Sequence, residues 1–100
     1  MIEKTIKGIK YRLDEENLTA EVLQKKGYEG DFIIPETVVF KKVAYRVTSI
    51  GEWAFANCDY ITSITFNGTK AQWKGINLGE DWNDEVPTEV IHCTDGEVEI

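Results

Sequence analysis

The sequence predicts an α+β fold, a short solenoid of stacked helix-plus-strand units with a cap at each end. The main observation is a change of apolar spacing within residues 47–66. Ile50, Ala54 and Cys58 recur every fourth residue, which places them on one face of a helix. In residues 61–66 apolar and polar residues alternate, which indicates a strand. Because neither short element can bury its own apolar face, stacked neighbours are expected on both sides.

Other segments supply the expected neighbours. Residues 31–37 align with residues 63–69, and a further apolar run surrounds Ile91. The intervals from Ile34 to Phe66 and from Phe66 to Ile91 are 32 and 25 residues. Both lie within the range of roughly 20–50 residues that is typical of repeat architectures. The alignment therefore predicts that these segments lie side by side as neighbouring units.

The remaining segments are expected to form caps and an insertion. Residues 9–13 and 18–22 alternate around a polar turn and predict an N-terminal β-hairpin, and residues 39–47 predict an inserted hairpin. Thr69 is expected to cap a helix of one or two turns, and residues 94–96 to form a hairpin turn. A single domain then comprises an N-terminal β cap, a repeat region and a Trp-containing C-terminal cap (residues 1–30, 31–69 and 70–100).

The central segment carries a series of seven residues at fixed spacing: Ile50, Gly51, Ala54, Phe55, Cys58, Ile61 and Ile64. This series resembles the BspA-like leucine-rich repeats of bacterial and protozoan surface proteins. The resemblance extends over about residues 28–97. It implies a leucine-rich-repeat-like solenoid that binds protein or mediates adhesion without catalysis, through its strand face and rims. It also implies a cell-surface or secreted location.

Charge is distributed unevenly along the chain, whose net charge is −7. Residues 75–100 contain eight acidic residues and no Lys or Arg, whereas residues 1–74 have a net charge of +1. This distribution argues against direct binding to nucleic acid or anionic lipid. Two interpretations remain. The acidic edge may only prevent strand pairing between molecules, or residues 80–99 may bind a basic partner, as in a small intracellular inhibitor or decoy.

No segment of the sequence predicts membrane insertion or export. The sequence has no apolar run near the ~18 residues that a membrane span requires. Residues 1–13 lack the apolar region of a signal peptide. From the residues alone we expect either a cytoplasmic protein or a mature or truncated form of an exported one.

The residues that could carry chemistry form no recognisable catalytic or metal site. Adjacent strand residues point to opposite faces, so His92 and Cys93 are not expected to pair. Cys58 and Cys93 are expected to be reduced core thiols, with a disulfide as the alternative. The acidic run 81–85 has Val86 where a calcium loop of the EF-hand type requires glycine. We therefore predict a protein that is not an enzyme and that has no cofactor or metal.

The binding residues predicted from sequence fall into two groups. The first lies around the repeat strand and its rims: Trp53, Tyr60, Ser63 and Thr65. The second lies in the acidic segment: Glu80, Asp81, Asp84 and Glu85. Trp53 is expected to be partly exposed, whereas Trp73 and Trp82 are expected to close the core. A third possibility is a stacking unit of a longer repeat array with no activity of its own.

Overall fold

The protein is built almost entirely from β-strands. The computed structural model describes residues 1–84 and 86–100. Within that part, strands account for 48% of the chain and helix for 5%. The elements in chain order are β1 (Ile2–Ile6), β2 (Ile9–Asp14), β3 (Thr19–Val22), β4 (Gly30–Ile34), β5 (Thr37–Phe40), β6 (Val43–Ile50), β7 (Ile61–Phe66), α1 (Lys70–Lys74), β8 (Asn77–Leu78), β9 (Val90–Cys93) and β10 (Gly96–Glu99).

The strands form two sheets around one hydrophobic core. The six-stranded sheet has the order β1-β2-β3-β6-β5, with β8 beside β6, and the four-stranded sheet has the order β10-β9-β7-β4. Strands β3, β6 and β8 run parallel, and so do β4, β7 and β9. The chain passes from the first parallel group to the second and back again. Residues that are far apart in sequence thereby become neighbours on the outer sheet faces.

The predicted α+β solenoid is wrong, because the structure consists of two packed sheets and the expected central helix does not form. Residues 51–60 form a series of turns instead. Trp53 and Asn57 have φ angles of +57° and +60°. These angles lie in the left-handed region, which cannot be part of a right-handed helix.

Hydrogen bonds show what replaces the helix. Ala54 N–H donates to Gly51 O at 3.2 Å, and Cys58 N–H donates to Phe55 O at 3.1 Å. Both bonds link residues three apart, whereas an α-helix links residues four apart. The N–H of Phe55 donates to the carbonyl of Trp82 at 2.9 Å. The backbone of this segment is therefore satisfied partly by the neighbouring turn rather than by its own chain.

The parallel alignment of the repeated segments is confirmed residue by residue. Asp31 lies opposite Ser63, and Ile34 lies opposite Phe66. Further along the same sheet, Ile64 lies opposite Ile91. The core face of this sheet is therefore built from the apolar residues that the alignment selects.

The apolar stripe predicted for the central segment is buried although its helix is absent. Ile50 is 1% exposed, Ala54 and Phe55 are 0% exposed, and Cys58 is 7% exposed. Successive turns return the chain to the core at nearly the same spacing as helical turns do. Spacing alone therefore identified the buried residues but not the backbone conformation that buries them.

An aromatic cluster fills one end of the core. The Phe55 ring lies 4.8 Å from the Phe32 ring and 5.9 Å from that of Trp82, centroid to centroid. Trp82 in turn lies 5.7 Å from Trp73, which packs 5.6 Å from Phe66. The tilted and edge-to-face geometries are those that aromatic quadrupoles favour. Trp73 and Trp82 are 3% and 7% exposed, which confirms that they close the core.

The hairpins and the capped helix predicted from sequence are present. Strands β2 and β3, β5 and β6, and β9 and β10 form antiparallel pairs. Thr69 caps α1: its hydroxyl accepts from Gln72 N–H at 3.1 Å, while the Gln72 side chain accepts from Thr69 N–H at 2.7 Å. The sequence analysis missed β1, which pairs with β2 across the Lys7-Gly8 turn.

Close stacking of two turns requires glycine at position 79. Gly79 N–H donates to Ile50 O at 2.7 Å, which brings the turn after β8 against the turn after β6. A Cβ atom on Gly79 would lie 2.4 Å from Glu52 N and 2.7 Å from Gly51 C. Both are backbone atoms, so no side-chain rotation relieves the overlap. This contact fixes the acidic turn beside Trp53.

Candidate functional site

The outer face of the four-stranded sheet brings together the polar strand residues predicted from sequence. Asp31 on β4 lies beside Ser63 and Thr65 on β7. Its Oδ1 atom accepts a hydrogen bond from Ser63 Oγ at 2.6 Å and another from Thr65 Oγ1 at 3.2 Å. Both hydroxyls therefore point away from the core, and one carboxylate orients them.

A histidine–carboxylate pair continues this face across the next two strands. His92 on β9 lies opposite Thr65, and Glu97 on β10 lies opposite His92. The Nδ1 atom of His92 is 2.8 Å from Glu97 Oε2. Hydrogen-bonding side chains thus extend over four adjacent strands. We call this surface the four-strand face; its residues are Asp31, Ile33, Ser63, Thr65, Val90, His92, Glu97 and Glu99.

The charges of the four-strand face are acidic and unbalanced. None of the strands β4, β7, β9 and β10 contains Lys or Arg. Asp31, Glu97 and Glu99 contribute carboxylates, and His92 is the basic side chain of these strands. Such a surface attracts a partner that presents cationic or hydrogen-bond-donating side chains.

The outer face of the six-stranded sheet has a different charge pattern. Arg12 lies between two acids: its NH2 atom is 3.5 Å from Glu3 Oε2, and its NH1 atom is 3.6 Å from Glu21 Oε2. Lys10 Nζ lies 3.6 Å from Glu3 Oε1, and Ser49 Oγ donates to Glu21 Oε1 at 3.0 Å. We call this surface the six-strand face. Its charges neutralise one another across neighbouring strands.

The two predicted aromatic residues are both exposed but lie in turns. Trp53 is 44% exposed, which confirms the expectation from sequence, and Tyr60 is 78% exposed. Tyr60 directly precedes β7, where its carbonyl accepts from Gly30 N–H at 2.8 Å. The backbone N–H of Trp53 donates to Glu80 O at 3.1 Å. The structure thus places Trp53 beside the acidic turn, while Ser63 and Thr65 lie with Asp31.

The acidic residues predicted as a binding segment occupy the turn after β8. Glu80 and Asp81 are exposed, Asp84 is partly buried, and Asp84 N–H donates to Asp81 O at 3.2 Å. Glu85 lies outside the described residues. In the remainder of the chain no cluster of three or more metal-ligating side chains occurs. These acids therefore form a charged turn beside Trp53.

The two thiols are free and lie in different environments. Cys58 is buried in the turn segment, and Cys93 is half-buried at the end of β9. Burial raises the pKa of the Cys58 thiol, with a further contribution from the nearby charge of Asp59. Burial likewise raises the pKa of the Cys93 thiol, assisted by Asp95. A raised pKa keeps a thiol protonated at neutral pH and makes it a poor nucleophile.

Sequence reasoning missed Asp31, His92 and Glu97 as members of the four-strand face. Asp31 and Ser63 are 32 residues apart, and Thr65 and His92 are 27 residues apart, so only their strand pairing joins them. A signal was nevertheless present for Asp31. The alignment of residues 31–37 with residues 63–69 already placed it beside Ser63.

Comparison with known proteins identifies the fold. No protein-family model and no curated protein sequence matches the chain. A crystal structure of a leucine-rich cell surface protein from Faecalibacterium prausnitzii A2-165 is similar, with a TM-score of 0.70 and 21% sequence identity. The similarity covers 95% of this chain and 24% of that protein. The chain therefore shares its fold with about a quarter of the length of a leucine-rich surface protein.

The structure also bears on membrane insertion. Among the described residues, no helix has both the length and the apolar character needed to cross a bilayer.

Proposed function

We propose that the protein is a non-catalytic module that binds a protein partner through the four-strand face. The observation that carries the proposal is the arrangement of Asp31, Ser63, Thr65, His92 and Glu97 on neighbouring strands without a Lys or Arg among them. Preoriented hydroxyls and carboxylates on a rigid sheet can bind a partner with little ordering of side chains. The fold shared with a cell surface protein supports a location at the cell surface.

The acidic turn extends this proposal to a second contact. Glu80 and Asp81 lie beside the partly exposed Trp53, which combines an aromatic side chain with negative charge. Exposed aromatic residues often provide a large share of binding free energy at interfaces. A basic partner could use this turn instead of the four-strand face. This is the structural form of the alternative in which residues 80–99 act as an acidic inhibitor or decoy.

A binding array tests the main proposal. Purified surface and extracellular proteins are immobilised and probed with the wild-type chain, and each binder is then titrated with two variants. Thr65→Arg introduces a bulky cation in the centre of the four-strand face. Thr5→Arg makes the same change at an exposed strand position of the other sheet and serves as the control. We expect Thr65→Arg to weaken binding by at least about tenfold and Thr5→Arg to have little effect.

The alternative predicts a different pattern. Binding by the acidic turn should weaken steeply as ionic strength rises, because exposed charges are screened beyond about 10 Å at 0.1 M salt. It should also be lost in Trp53→Ala and retained in Thr65→Arg. A set of binders that all retain full affinity for Thr65→Arg would reject the four-strand face as the binding surface.

A further inference from the structure

Strand β4 leaves one edge of the four-stranded sheet without a neighbour. It is the last strand in the sheet order, and within the described residues its ladder partner is β7. Gly30 N–H donates toward β7, to Tyr60 O at 2.8 Å, and Ile34 O accepts from Asn67 N–H at 2.9 Å. Alternate residues of a strand direct their backbone groups to opposite sides. The N–H and C=O groups of Asp31 and Ile33 therefore face the open edge.

A groove runs along this edge. One cavity of about 530 Å³ is lined mainly by apolar side chains, including Ile6, Ile9, Ile33, Pro35 and Val39. A second cavity of about 340 Å³ shares Lys7, Ile9 and Ile33 with the first and continues past Asp31. The two cavities lie between β4 and the turn that joins β1 to β2. We call them together the β4 groove.

The β4 edge differs from the other outer strands in its side chains. Strands β1 and β10 carry exposed charges, Glu3 and Lys4 on the first and Glu97 and Glu99 on the second. Charged residues on an edge discourage pairing with another chain. On β4 the corresponding exposed residue is Ile33, which is 47% exposed. Val39 across the groove is 61% exposed.

We propose that the β4 groove binds an extended segment of a partner protein as an additional strand. The free backbone groups of Asp31 and Ile33 require an extended occupant, because only a strand can pair with them in register. Side chains on one side of that strand would enter the apolar cavity. Those on the other side would lie beside Asp31 and continue the four-strand face.

Charge complementarity specifies the occupant further. The charged side chains lining the groove are Lys7, Glu29 and Asp31, so acids outnumber bases. The four strands of the sheet that the new strand would join contain no Lys or Arg. The expected occupant therefore alternates apolar residues with basic ones. This site depends on backbone pairing at an edge and is separate from the side-chain surface of the four-strand face.

A synthetic peptide provides the probe. Acetyl-Lys-Val-Lys-Val-Lys-Val-amide has the expected alternation, and acetyl-Glu-Val-Glu-Val-Glu-Val-amide has the same apolar residues with reversed charge. Each is titrated into the full chain and followed by amide chemical shifts. We expect the basic peptide to shift the amides of Asp31 and Ile33 most strongly and to bind at least about tenfold more tightly than the acidic one. Equal affinities, or shifts concentrated on β1 or β10, would overturn the proposal.

Two variants at one position separate strand addition from general attraction. Ile33→Pro removes the N–H that faces the groove, and proline is tolerated at edge positions whose N–H is not paired. Ile33→Val keeps the N–H and an apolar side chain and is the matched control. We expect Ile33→Pro to reduce the affinity for the basic peptide by about tenfold or more and Ile33→Val to bind as the wild type does.

Further outcomes keep the proposal decisive. If Ile33→Pro does not fold, Asp31→Lys replaces it, and the preference must then shift from the basic peptide toward the acidic one. Unchanged affinity in whichever of these variants folds contradicts strand addition. Sedimentation across a range of concentrations tests for a second copy as the occupant. A dimer that Ile33→Pro abolishes, without peptide binding by the wild type, would overturn the assignment to a partner segment.

Discussion

The two outer faces of the molecule obey the same alternation of buried and exposed residues but use their exposed positions differently. On the six-strand face, Arg12 lies between Glu3 and Glu21, and the cross-strand neighbours satisfy one another's charges. On the four-strand face, Asp31 orients two hydroxyls and Glu97 pairs with a histidine, with no Lys or Arg on those strands. The first pattern completes the surface within the molecule. The second leaves a negative potential that a partner can neutralise.

This difference concerns surfaces only, because both faces are supported by the same core. Tyr28, Phe32 and Phe55 contact one another between the sheets, and Trp82 extends the cluster. Loss of a central ring should therefore affect both faces together.

The largest expected effect is on this shared core. Phe55 is 0% exposed and lies edge-to-face against three other rings. We expect Phe55→Ala to lower the free energy of unfolding by about 3–5 kcal/mol, since it removes a buried ring and leaves a cavity. Urea denaturation followed by probes on each sheet should show one common transition. Trp53→Ala, at a position 44% exposed, should cost less than about 1 kcal/mol. Two separate transitions would show that the faces are supported independently.

The next effect concerns the stacked turns that hold the acidic residues beside Trp53. We expect Gly79→Ala to destabilise the fold by about 1–3 kcal/mol, because the new methyl group would overlap Glu52 N and Gly51 C. Gly75→Ala is the matched control, since its Cβ would meet Gln72 O at 3.4 Å, an ordinary contact. Thermal denaturation of the two variants gives the comparison. Equal stability of both would mean that the turns are not packed as closely as described.

A smaller effect distinguishes the two charge patterns directly. Arg12→Met removes the cation shared by Glu3 and Glu21, and we expect a loss of about 0.2–1 kcal/mol that diminishes at high salt. Glu99→Gln removes a carboxylate from the four-strand face. We expect its effect to stay within about 0.5 kcal/mol, with any change at low salt toward greater stability. If Glu99→Gln were the more destabilising variant, the contrast between the faces would be wrong.

The smallest expected effect on the fold comes from labelling the thiols. Because burial raises the pKa of both Cys58 and Cys93, little thiolate exists at neutral pH, and alkylation should accelerate as the pH rises. Half-buried Cys93 should react with iodoacetamide before buried Cys58, and both should react promptly in denaturant. Mass spectrometry measures the order. Labelling in denaturant that begins only after a reductant is added would show a disulfide.

Much of the strand arrangement could be predicted from sequence, because local patterns determine it. Turn residues and alternation identified three hairpins, and the alignment of residues 31–37 with residues 63–69 predicted a register that the structure confirms. The Thr69 cap was also identified from its side-chain chemistry.

The central helix was not predictable as absent, since nothing in the sequence indicates a positive φ at Trp53, a residue that rarely adopts it. The four-strand face was predicted only in part for a related reason. Ser63 and Thr65 alternate along one strand, but Asp31, His92 and Glu97 join them through pairing between strands distant in sequence. The binding roles of Trp53, Tyr60 and the acidic turn remain predictions.

The central claim is that a partner binds the four-strand face rather than the six-strand face. The direct measurement is an amide chemical-shift titration of the wild-type chain with a binder from the array. We expect the largest shifts at Ser63, Thr65 and His92, and small shifts at Arg12 and Glu21. Largest shifts at Arg12 and Glu21, with Ser63, Thr65 and His92 unmoved at saturation, would contradict the account.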